Sequence, residues 1–394
     1  MSEHGFVQRT VVYKLKPTTA QMEGLERYLS ITRELYNAAL EQRIASYRTT
    51  GRGRSWTVQS REIKALREAG LLEGCHVHAC QLALRRLERS YEAFFRRCAH
   101  GVKRKGFPRF KAARRWRSFQ FKEHGNGWRL DTDARRLRLA SVGSVKLRVH
   151  CELLGAPKTL AVVRMPDGWY AHVGCELAAV EPAPDVDLGR RGALDLGVEA
   201  LATLHTGERI ENVRALNRAR AKLTREQRAL ARKRRGSRRR ATQRQRVAIA
   251  HLKLVRVRRD HLHKQSTQLA ERYAFIAVED LTVTAMSASA KGTVEKPGRR
   301  VRQKAGLNRG ILDAAWGEFL GLLEYKLQAR GGGLIRVDAR GTSQECSGCG
   351  VRVPKALSER EHHCPHCGLR LHRDHNAALN IYRRAWAAPV AEAA

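Results

Sequence analysis

The chain has 394 residues, long enough for two or three domains with hydrophobic cores. Its 76 lysines and arginines outnumber 38 aspartates and glutamates, which gives a formal charge of +38. Self-repulsion of that size is tolerated mainly when a polyanion neutralises it, so the composition predicts a nucleic-acid partner and no membrane partner. There is no run of about eighteen apolar residues and no signal-peptide core. Five of the nine cysteines are scattered outside a C-terminal cluster, so we expect a reducing, cytoplasmic location.

The first half of the chain combines strands with helices. Alternation of apolar and polar residues predicts a strand over 8–16, and helical spacing predicts helices over about 19–47 and 78–97. Strand patterns return between residues 119 and 177, with a tight turn at 166–168. A strand followed by helices and then more strands suggests one β module that a helical insertion interrupts.

A second module is predicted after a proline-containing linker at 181–187. It begins with a strand, a glycine break and a second strand, and Asp195 lies in the first of them. A helical stretch follows from about 214 to 271, with a turn expected at Gly236. Its basic residues are denser than balanced ion pairs on a solvated helix face require. The density therefore favours contact with a polyanion over the simpler interpretation of a solvated face.

The rest of the second module alternates strands and helices. A buried strand ends in Glu279 and Asp280, and a polar, glycine-rich stretch over 284–310 predicts a mobile loop. An amphipathic helix is predicted over 311–331, and a further strand over 334–339. The chain is expected to close with a helix that begins near residue 374.

Two CxxC pairs lie near the C-terminus, and each is followed by glycine. The four cysteines are Cys346, Cys349, Cys364 and Cys367. Four thiolates from two tight turns match tetrahedral Zn²⁺, so the spacing predicts a structural zinc ribbon, with free or redox cysteines as the alternative. A second cluster of cysteine and histidine falls at 75–80. It continues into an amphipathic helix whose geometry would point the ligands to different sides, which favours packing and surface roles there over metal binding.

Three acidic residues stand at the ends of predicted core elements, far apart in the sequence: Asp195, Glu279 and Asp374. Oxygen ligands of this kind suit Mg²⁺, and a pair of such ions can clamp the attacking water and the leaving oxygen in phosphodiester cleavage. From spacing alone the alternative stays open, in which each carboxylate caps a helix or pairs with an arginine. Asp280 points to the opposite face from Glu279 if both lie in a strand, so we assign it a structural, capping role.

An ordered set of short segments extends over nearly the whole chain. Near the start these segments are YKLKPTTAQ, ELYNAAL, SYEAFF and GFPRF. In the second half they are ALDLGV, VEDL, YKLQARGGGLIRVDARGTSQECSGCG and HRDHNAALNI. In this order they resemble the transposon-encoded TnpB (OrfB) family, with the later group matching its three split RuvC motifs and its zinc ribbon. Compact type V CRISPR nucleases are similar.

The resemblance implies an RNA-guided DNA endonuclease. Such an enzyme binds a structured guide RNA, reads a short duplex motif beside the double-stranded DNA target and cleaves phosphodiester bonds. Asp195, Glu279 and Asp374 match the acids of the three motifs and would together hold two catalytic Mg²⁺ ions, beside one structural Zn²⁺. The guide could come from a transposon end or from a CRISPR array, with a corresponding functional link to a transposase or to that array.

The implied fold class is α/β with β-barrel and helical modules. An RNase H-like (RuvC) nuclease domain with an inserted zinc ribbon follows a wedge-type β-barrel that contains a helical recognition insertion. The predicted boundaries are 1–17 and 106–182 for the barrel, 18–105 for the helical insertion, 188–341 and 370–394 for the nuclease domain, and 342–369 for the ribbon.

Three further residues are carried over from the resemblance. Arg360 matches an arginine that could stabilise the developing phosphate charge, with an ordinary surface role as the alternative. Gln81 and Lys122 fall where the family reads duplex DNA, and an amide can read adenine; solvated positions are the alternative. His372 departs from the family, which often has an acid there, and His375 follows the third motif acid.

Two other functions remain as alternatives at this stage. One is an RNA-guided repressor that binds without cutting, although such relatives are expected to lack at least one of the three acids. The other is a guide-independent, transposition-associated protein that grips nucleic acid through its ribbon. A discrete copurifying RNA would distinguish the guided functions from the unguided one.

Overall fold

The computed structural model describes residues 6–153, 155–178, 190–212, 214–293, 295–356 and 359–386. The chain divides into two compact units, Met1–Ala179 and Val180–Ala394. The linker predicted at 181–187 lies outside the described residues. No helix within these ranges is long and apolar enough to cross a membrane.

The first unit is built on an antiparallel sheet that forms a half-barrel. Its strands are β1 (Phe6–Lys16), β2 (Ser118–Phe121), β3 (Trp128–Asp131), β4 (Arg136–Leu139), β5 (Gly143–Arg148), β6 (Ala156–Met165) and β7 (Gly168–Ala178). They are ordered β2-β6-β7-β1-β5-β4-β3, so the N-terminal strand lies in the middle of the sheet. The strands on both sides of β1 therefore come from after the helical segment.

The helical segment of this unit contains α1 (Thr19–Thr50), α2 (Trp56–Glu68) and α3 (Val77–Ala99). Thr18 begins α1, because its hydroxyl accepts a hydrogen bond from the N–H of Gln21 while the Gln21 side chain accepts one from the N–H of Thr18. Gly51 ends it in the left-handed conformation at φ 67°. Helix α2, which Ser55 caps, is absent from the elements that the sequence predicts. Tyr28 of α1 stacks on Phe119 of the sheet at 4.5 Å between ring centroids.

The second unit is built on a mixed sheet. Its strands are β8 (Arg191–Leu196), β9 (Ala200–Leu204), β10 (Arg209–Glu211), β11 (Phe275–Glu279) and β12 (Gly333–Val337). They are ordered β10-β9-β8-β11-β12, with β8, β9 and β10 antiparallel and with β8, β11 and β12 parallel. A separate antiparallel pair is formed by β13 (Glu361–His363) and β14 (Arg370–His372).

The helices of the second unit lie between these strands in the sequence and pack against the sheet. They are α4 (Arg214–Ala231), α5 (Arg238–Arg272), α6 (Val283–Met286), α7 (Val301–Ala314), α8 (Trp316–Gln328) and α9 (Arg373–Trp386). The turn between α4 and α5 contains Gly236 at φ 84°. Together α4 and α5 make a long, basic helical hairpin that lies between β10 and β11 in the sequence.

The structure differs from the sequence prediction between residues 284 and 331. The prediction of a loop over 284–310 and of one helix over 311–331 is wrong, because α7 already begins at Val301 and the helices break at Ala315, where φ is 53°. The amide of Asn308 donates to the carbonyl of Ser287 at 2.9 Å and holds α7 against the preceding segment. Ile311 is buried in the core, which also favours the helix.

The two faces of the mixed sheet pack against different helices because side chains alternate along each strand. Leu194 and Val278 point into the larger core, which α5 and α8 complete. Ala193 and Ala277 point to the other face and pack near Ile381 of α9. Small alanine side chains let α9 approach this face closely, and the next residues with the same orientation are at the ends of β8 and β11.

Candidate catalytic and zinc sites

The three predicted acids meet on the face of the sheet that α9 covers. Leu194 of β8 pairs with Val278 of the parallel strand β11, so the following residues, Asp195 and Glu279, are neighbours at the strand ends. Both acids lie two residues beyond alanines that face α9, and they therefore share that orientation. Asp374 lies in the first turn of α9. The structure thus brings together groups that are far apart in the sequence.

The carboxylates of this trio repel one another in a desolvated position. The pKa of Asp195 is raised well above its usual range, first by burial and then by the charges of Glu279 and Asp374, with Arg373 acting in the opposite direction. A cation at this position would offset the repulsion. Three hard oxygen donors are also the ligand type that Mg²⁺ takes in proteins, so the residues present fit the predicted ion.

The trio is wider than a single-ion cage. In the part of the chain that the structure describes, it does not form a compact group of ligand atoms like that of the four cysteines. The side chain of Asp374 is 15% exposed, so this acid keeps partial contact with solvent.

Thr342 is a residue of this site that the sequence analysis missed. It is 2% exposed, and its hydroxyl donates a short hydrogen bond to Oε1 of Glu279. Burial raises the pKa of Glu279, while this hydrogen bond and the charge of Arg384 lower it. Thr342 therefore favours the ionised form of Glu279, the form that binds a metal.

Two asparagines of α9 hold the segment that carries Thr342. Asn380 donates from Nδ2 to the carbonyls of Thr342 at 2.8 Å and Glu345 at 2.7 Å. Asn376 donates to the same carbonyl of Glu345 at 2.7 Å and accepts from the N–H of Ser347 at 2.9 Å. Both asparagines are buried. Their spacing of one helical turn, on a helix predicted to carry an active-site acid, is the sequence signal that could have identified them.

The two histidines beside Asp374 in the sequence, His372 and His375, make different contacts. His372 accepts a hydrogen bond from the N–H of Asp374 at its Nδ1 atom, at 3.2 Å, and so caps the start of α9. Its Nδ1 also lies 3.9 Å from Oδ2 of Asp374. His375 points elsewhere, with Nε2 3.1 Å from the carbonyl oxygen of His205.

The four predicted zinc ligands form one compact cluster. The Sγ atoms of Cys346, Cys349, Cys364 and Cys367 all lie within 4.8 Å of one another. The distances of 3.5 Å from Cys346 to Cys367 and 3.6 Å from Cys349 to Cys364 are close to the ~3.8 Å expected between ligands of a tetrahedral zinc with Zn–S bonds of about 2.3 Å. The donor set and its size therefore fit a structural Zn²⁺.

Each pair of cysteines is presented by a turn that requires glycine. The N–H of Gly350 donates to the carbonyl of Cys346, and the N–H of Gly368 donates to the carbonyl of Cys364. Both glycines have left-handed backbones, with φ of 78° and 73°. A side chain at either position would strain the turn that aims the sulfur atoms.

The cluster of cysteine and histidine near residue 75 belongs to the first unit. Cys75 and Cys80 are buried with their sulfur atoms 3.6 Å apart. His76 is the N-cap of α3 and accepts a hydrogen bond from the N–H of His78. The sulfur atoms and the rings thus have packing and capping contacts.

The remaining predicted site residues lie outside the acid trio. Nε of Arg360 is 3.7 Å from a carboxylate oxygen of Glu199, which lies in the turn between β8 and β9, and both side chains are more than half exposed. In the first unit, Nζ of Lys122 donates to Oε1 of Gln81 at 2.9 Å. Gln81 and Lys122 are therefore brought together in a partly buried pair.

Comparison with protein families gives three matches along the chain. A family model described as a helix-turn-helix domain of OrfB from IS605 matches residues 1–52, and one described as "Probable transposase" (OrfB, IS605) matches residues 176–290. A model described as the TNB domain of Cas12f1-like proteins matches residues 316–381. The last of these ranges contains the four cysteines, Thr342 and Asp374.

Two curated relatives are similar over almost the full length. The Escherichia coli (strain K12) protein named "Putative RNA-guided DNA endonuclease InsQ" is 34% identical over 377 residues, which is 94% of this chain and 90% of that protein. A Streptomyces pristinaespiralis protein named "Putative RNA-guided DNA endonuclease" is 34% identical over 385 residues, 95% of this chain and 89% of its own length.

A solved structure shares the fold. It is a complex of Cas12f1 with single-guide RNA and target DNA, at a TM-score of 0.57 and 12% identity, covering 96% of this chain and 99% of that one. The predicted fold class is confirmed by this likeness together with the half-barrel sheet and the cysteine cluster.

Proposed function

Because the chain belongs to the TnpB (OrfB) family, we propose that it is an RNA-guided DNA endonuclease whose catalytic centre is Asp195, Glu279 and Asp374. In this proposal it binds a structured guide RNA, reads a short duplex motif beside the target and hydrolyses DNA phosphodiester bonds with Mg²⁺. The observation that carries the proposal is the meeting of three carboxylates on one face of an RNase H-like sheet, where burial and then the charges of the other two acids raise the pKa of Asp195.

The acid trio would hold two Mg²⁺ ions. When bound, Mg²⁺ supplies Lewis acidity and neutralises charge at the scissile phosphate. Thr342 keeps Glu279 ionised through its hydroxyl donation, and His372 fixes the first turn of α9 and with it Asp374. Arg360, on the exposed rim formed with Glu199, would contact a phosphate with its guanidinium group.

The nucleic-acid contacts follow from charge and from the chemistry of two residues. A chain with a formal charge of +38 attracts both RNA and DNA, and affinity should fall steeply with salt as counterions are released. Gln81 is proposed to read an adenine of the flanking motif, with Lys122 as its hydrogen-bonded partner. Single variants at these two positions should change which flanking sequences are cut.

The domain division stays part of the proposal. The wedge-like barrel would comprise 1–17 and 106–182, the recognition insertion 18–105, the nuclease domain 188–341 and 370–394, and the ribbon 342–369. The match to a model described as "Probable transposase" favours a mobile element over a CRISPR array as the source of the guide. Sequencing the RNA that copurifies with the protein would test this source.

The test of the proposed function is cleavage of a DNA library with a randomised flank, with copurified RNA and with or without Mg²⁺. Asp195→Asn, Glu279→Gln and Asp374→Asn should each abolish cleavage and leave RNA binding intact. Asp280→Asn is the matched control, because this exposed acid follows Glu279 directly and should be dispensable. Full cleavage by any of the three trio variants would overturn the assignment, and RNA of mixed identity in the purified protein would favour unguided binding.

The trio also makes a prediction about stability without metal. The folded protein holds the proton of Asp195 to a higher pH than the unfolded chain does, because burial and like charges raise its pKa. Stability therefore falls as pH rises above the ordinary pKa of an aspartate. At neutral pH and without added Mg²⁺, which leaves the zinc in place, Asp195→Asn should raise the melting temperature and flatten its pH dependence. A lower melting temperature in the variant would contradict the repulsion.

A further inference from the structure

A cavity of about 510 Å³ lies in the helical segment of the first unit. It is formed by α1, α3 and two loops, and its lining residues include Tyr47, Arg48, Arg54, Tyr91, Phe95 and Phe107. The volume is within the ~300–1,000 Å³ range of sites that bind small molecules. Neither the acid trio nor the zinc cluster contributes to this cavity, which therefore needs its own explanation.

The wall of the cavity is an aromatic cluster that stays open to solvent. Tyr91 contacts the ring of Phe107 edge to face, with centroids 5.7 Å apart, and Phe94 contacts the same ring at 5.3 Å. These contacts orient the rings. Yet Tyr47 is 65% exposed, Phe95 is 60% exposed and Phe107 is 47% exposed. Large rings held in place and left in water are unusual unless a partner covers them.

The frame behind the rings is held by hydrogen bonds. Arg43 is 6% exposed; it donates from Nε to Gln59 at 2.8 Å, pairs with Glu88 at 2.7 Å and lies over the ring of Tyr91 at 5.0 Å. Near Phe107, Arg97 donates to the carbonyl of Gly106 at 3.0 Å and so fixes the loop that presents the Phe107 ring. The site is therefore built before any ligand arrives, which lowers the ordering cost of binding.

The charge at the cavity is positive. No carboxylate is among its lining residues, while three arginines are. Glu62 and Glu88 lie behind the lining and neutralise Arg54 and Arg43. Arg48 is exposed and makes no ion pair within the residues that the structure describes. Aromatic rings beside an unneutralised guanidinium suit a flat base joined to a phosphate better than they suit an apolar helix of a protein partner.

We propose that this cavity binds an unpaired RNA nucleotide, with its base against Phe95 and Phe107 and its phosphate at Arg48. This inference rests on the proposed function, in which the RNA is a structured guide. Single-stranded loops and bulges of a structured RNA offer unstacked bases to aromatic and arginine side chains. The target DNA, by contrast, is paired with either its complement or the guide, apart from the displaced strand. A guide loop is therefore the occupant that the chemistry favours.

The test uses the full chain and a short RNA hairpin whose single-stranded loop contains 5-iodouridine, at raised ionic strength so that phosphate-only contacts are weakened. Phe95→Ala should lower the affinity for this hairpin about tenfold, the loss expected for one base stacked on an aromatic ring. Phe95→Tyr keeps the ring and should stay close to the parent protein. Phe110→Ala is the matched control, because Phe110 is 56% exposed but is not among the lining residues of the cavity.

Photo-crosslinking supplies a second readout that does not depend on affinity. The iodinated loop should crosslink to Tyr47, Phe95 or Phe107, and a fully paired RNA of the same length should not. Unchanged affinity in Phe95→Ala together with no crosslink at these rings would overturn the site. A DNA hairpin that binds and crosslinks equally well would overturn the assignment to RNA, and a change of oligomeric mass in Phe95→Ala would overturn it in favour of a second copy of the chain.

The result separates this inference from the proposed function. If target cleavage is observed, Phe95→Ala binds the hairpin as the parent does and no crosslink forms at these rings, the cavity assignment fails and the nuclease stands. If the hairpin binds and crosslinks as expected but no DNA is cleaved, the cavity stands and the nuclease fails.

Discussion

Replacing Thr342 with valine tests whether a neighbouring hydroxyl tunes the proposed catalytic acids. Valine has nearly the same shape as threonine and fills the same buried space, but it cannot donate to Oε1 of Glu279. A hydrogen bond to a charged group contributes about 1.5–3 kcal/mol, and a factor of ten corresponds to about 1.4 kcal/mol. We therefore expect the Mg²⁺ concentration for half-maximal cleavage to rise about 10- to 100-fold, the usual effect of losing a partner of a metal ligand.

The pH profile gives this prediction its direction. The Thr342 hydroxyl lowers the pKa of Glu279, so its removal raises that pKa and leaves more of the carboxyl protonated in acidic buffer. The acidic limb of cleavage should move to higher pH, and the defect should shrink as pH rises. Single-turnover cleavage over a range of pH and Mg²⁺ concentrations measures both effects. Thr342→Ser keeps the donor and should behave like the parent.

The result that would refute this reasoning is a valine variant with the parent's Mg²⁺ dependence and pH profile. A uniform loss of cleavage that neither Mg²⁺ nor pH restores would also refute it, because it would indicate misfolding instead of a tuned carboxylate. The melting temperature of the variant, measured without added Mg²⁺, shows whether a loss of cleavage comes from misfolding.

Three further predictions concern the ribbon, the rim and the core. Removing zinc with a zinc-selective chelator and then supplying excess Mg²⁺, or Cys346→Ser, should lower the melting temperature and abolish cleavage, and elemental analysis should find one zinc per chain in the parent only. Arg360→Ala should lower the single-turnover cleavage rate at least about tenfold without changing the melting temperature, because its exposed pair with Glu199 adds little stability; an unchanged rate would leave Arg360 an ordinary surface residue. Burial lowers the pKa of Lys326 to about 8 from 10.5, so the unfolded chain binds more protons between these values and stability should rise with pH across that window. Lys326→Met should remove that rise in thermal melts.

The acid trio could be predicted from sequence because each acid follows a regular pattern. Leu194 and Leu196 alternate around Asp195, and an apolar run ends at Glu279, so both strands and their ends are visible in the sequence. Asp374 follows the cysteine pairs at the start of a periodic helix. In these places local pattern and tertiary burial agree, which is the condition under which a sequence can be interpreted directly.

The elements that were missed lack such a pattern. Helix α2 buries only Gln59 and Ile63, and one of these is polar, so no apolar stripe predicts it. The break between α7 and α8 falls at Ala315, where neither glycine nor proline signals it. Thr342 reaches Glu279 across 63 positions of sequence, and a contact of that range depends on the folded sheet. Each of these features is decided by tertiary contacts that override local preference.

The zinc ribbon also supports the acid trio, because the helix that carries Asp374 forms hydrogen bonds with the backbone of the ribbon. The carbonyl of Glu345, directly before Cys346, accepts hydrogen bonds from both Asn376 and Asn380 of α9. Asn380 also holds Thr342, which donates to Glu279. The helix that carries Asp374 is thus tied to the first zinc turn and, through Thr342, to a second acid. Loss of zinc should therefore loosen two of the three proposed catalytic carboxylates, which is why we expect zinc removal to abolish cleavage even when Mg²⁺ is supplied.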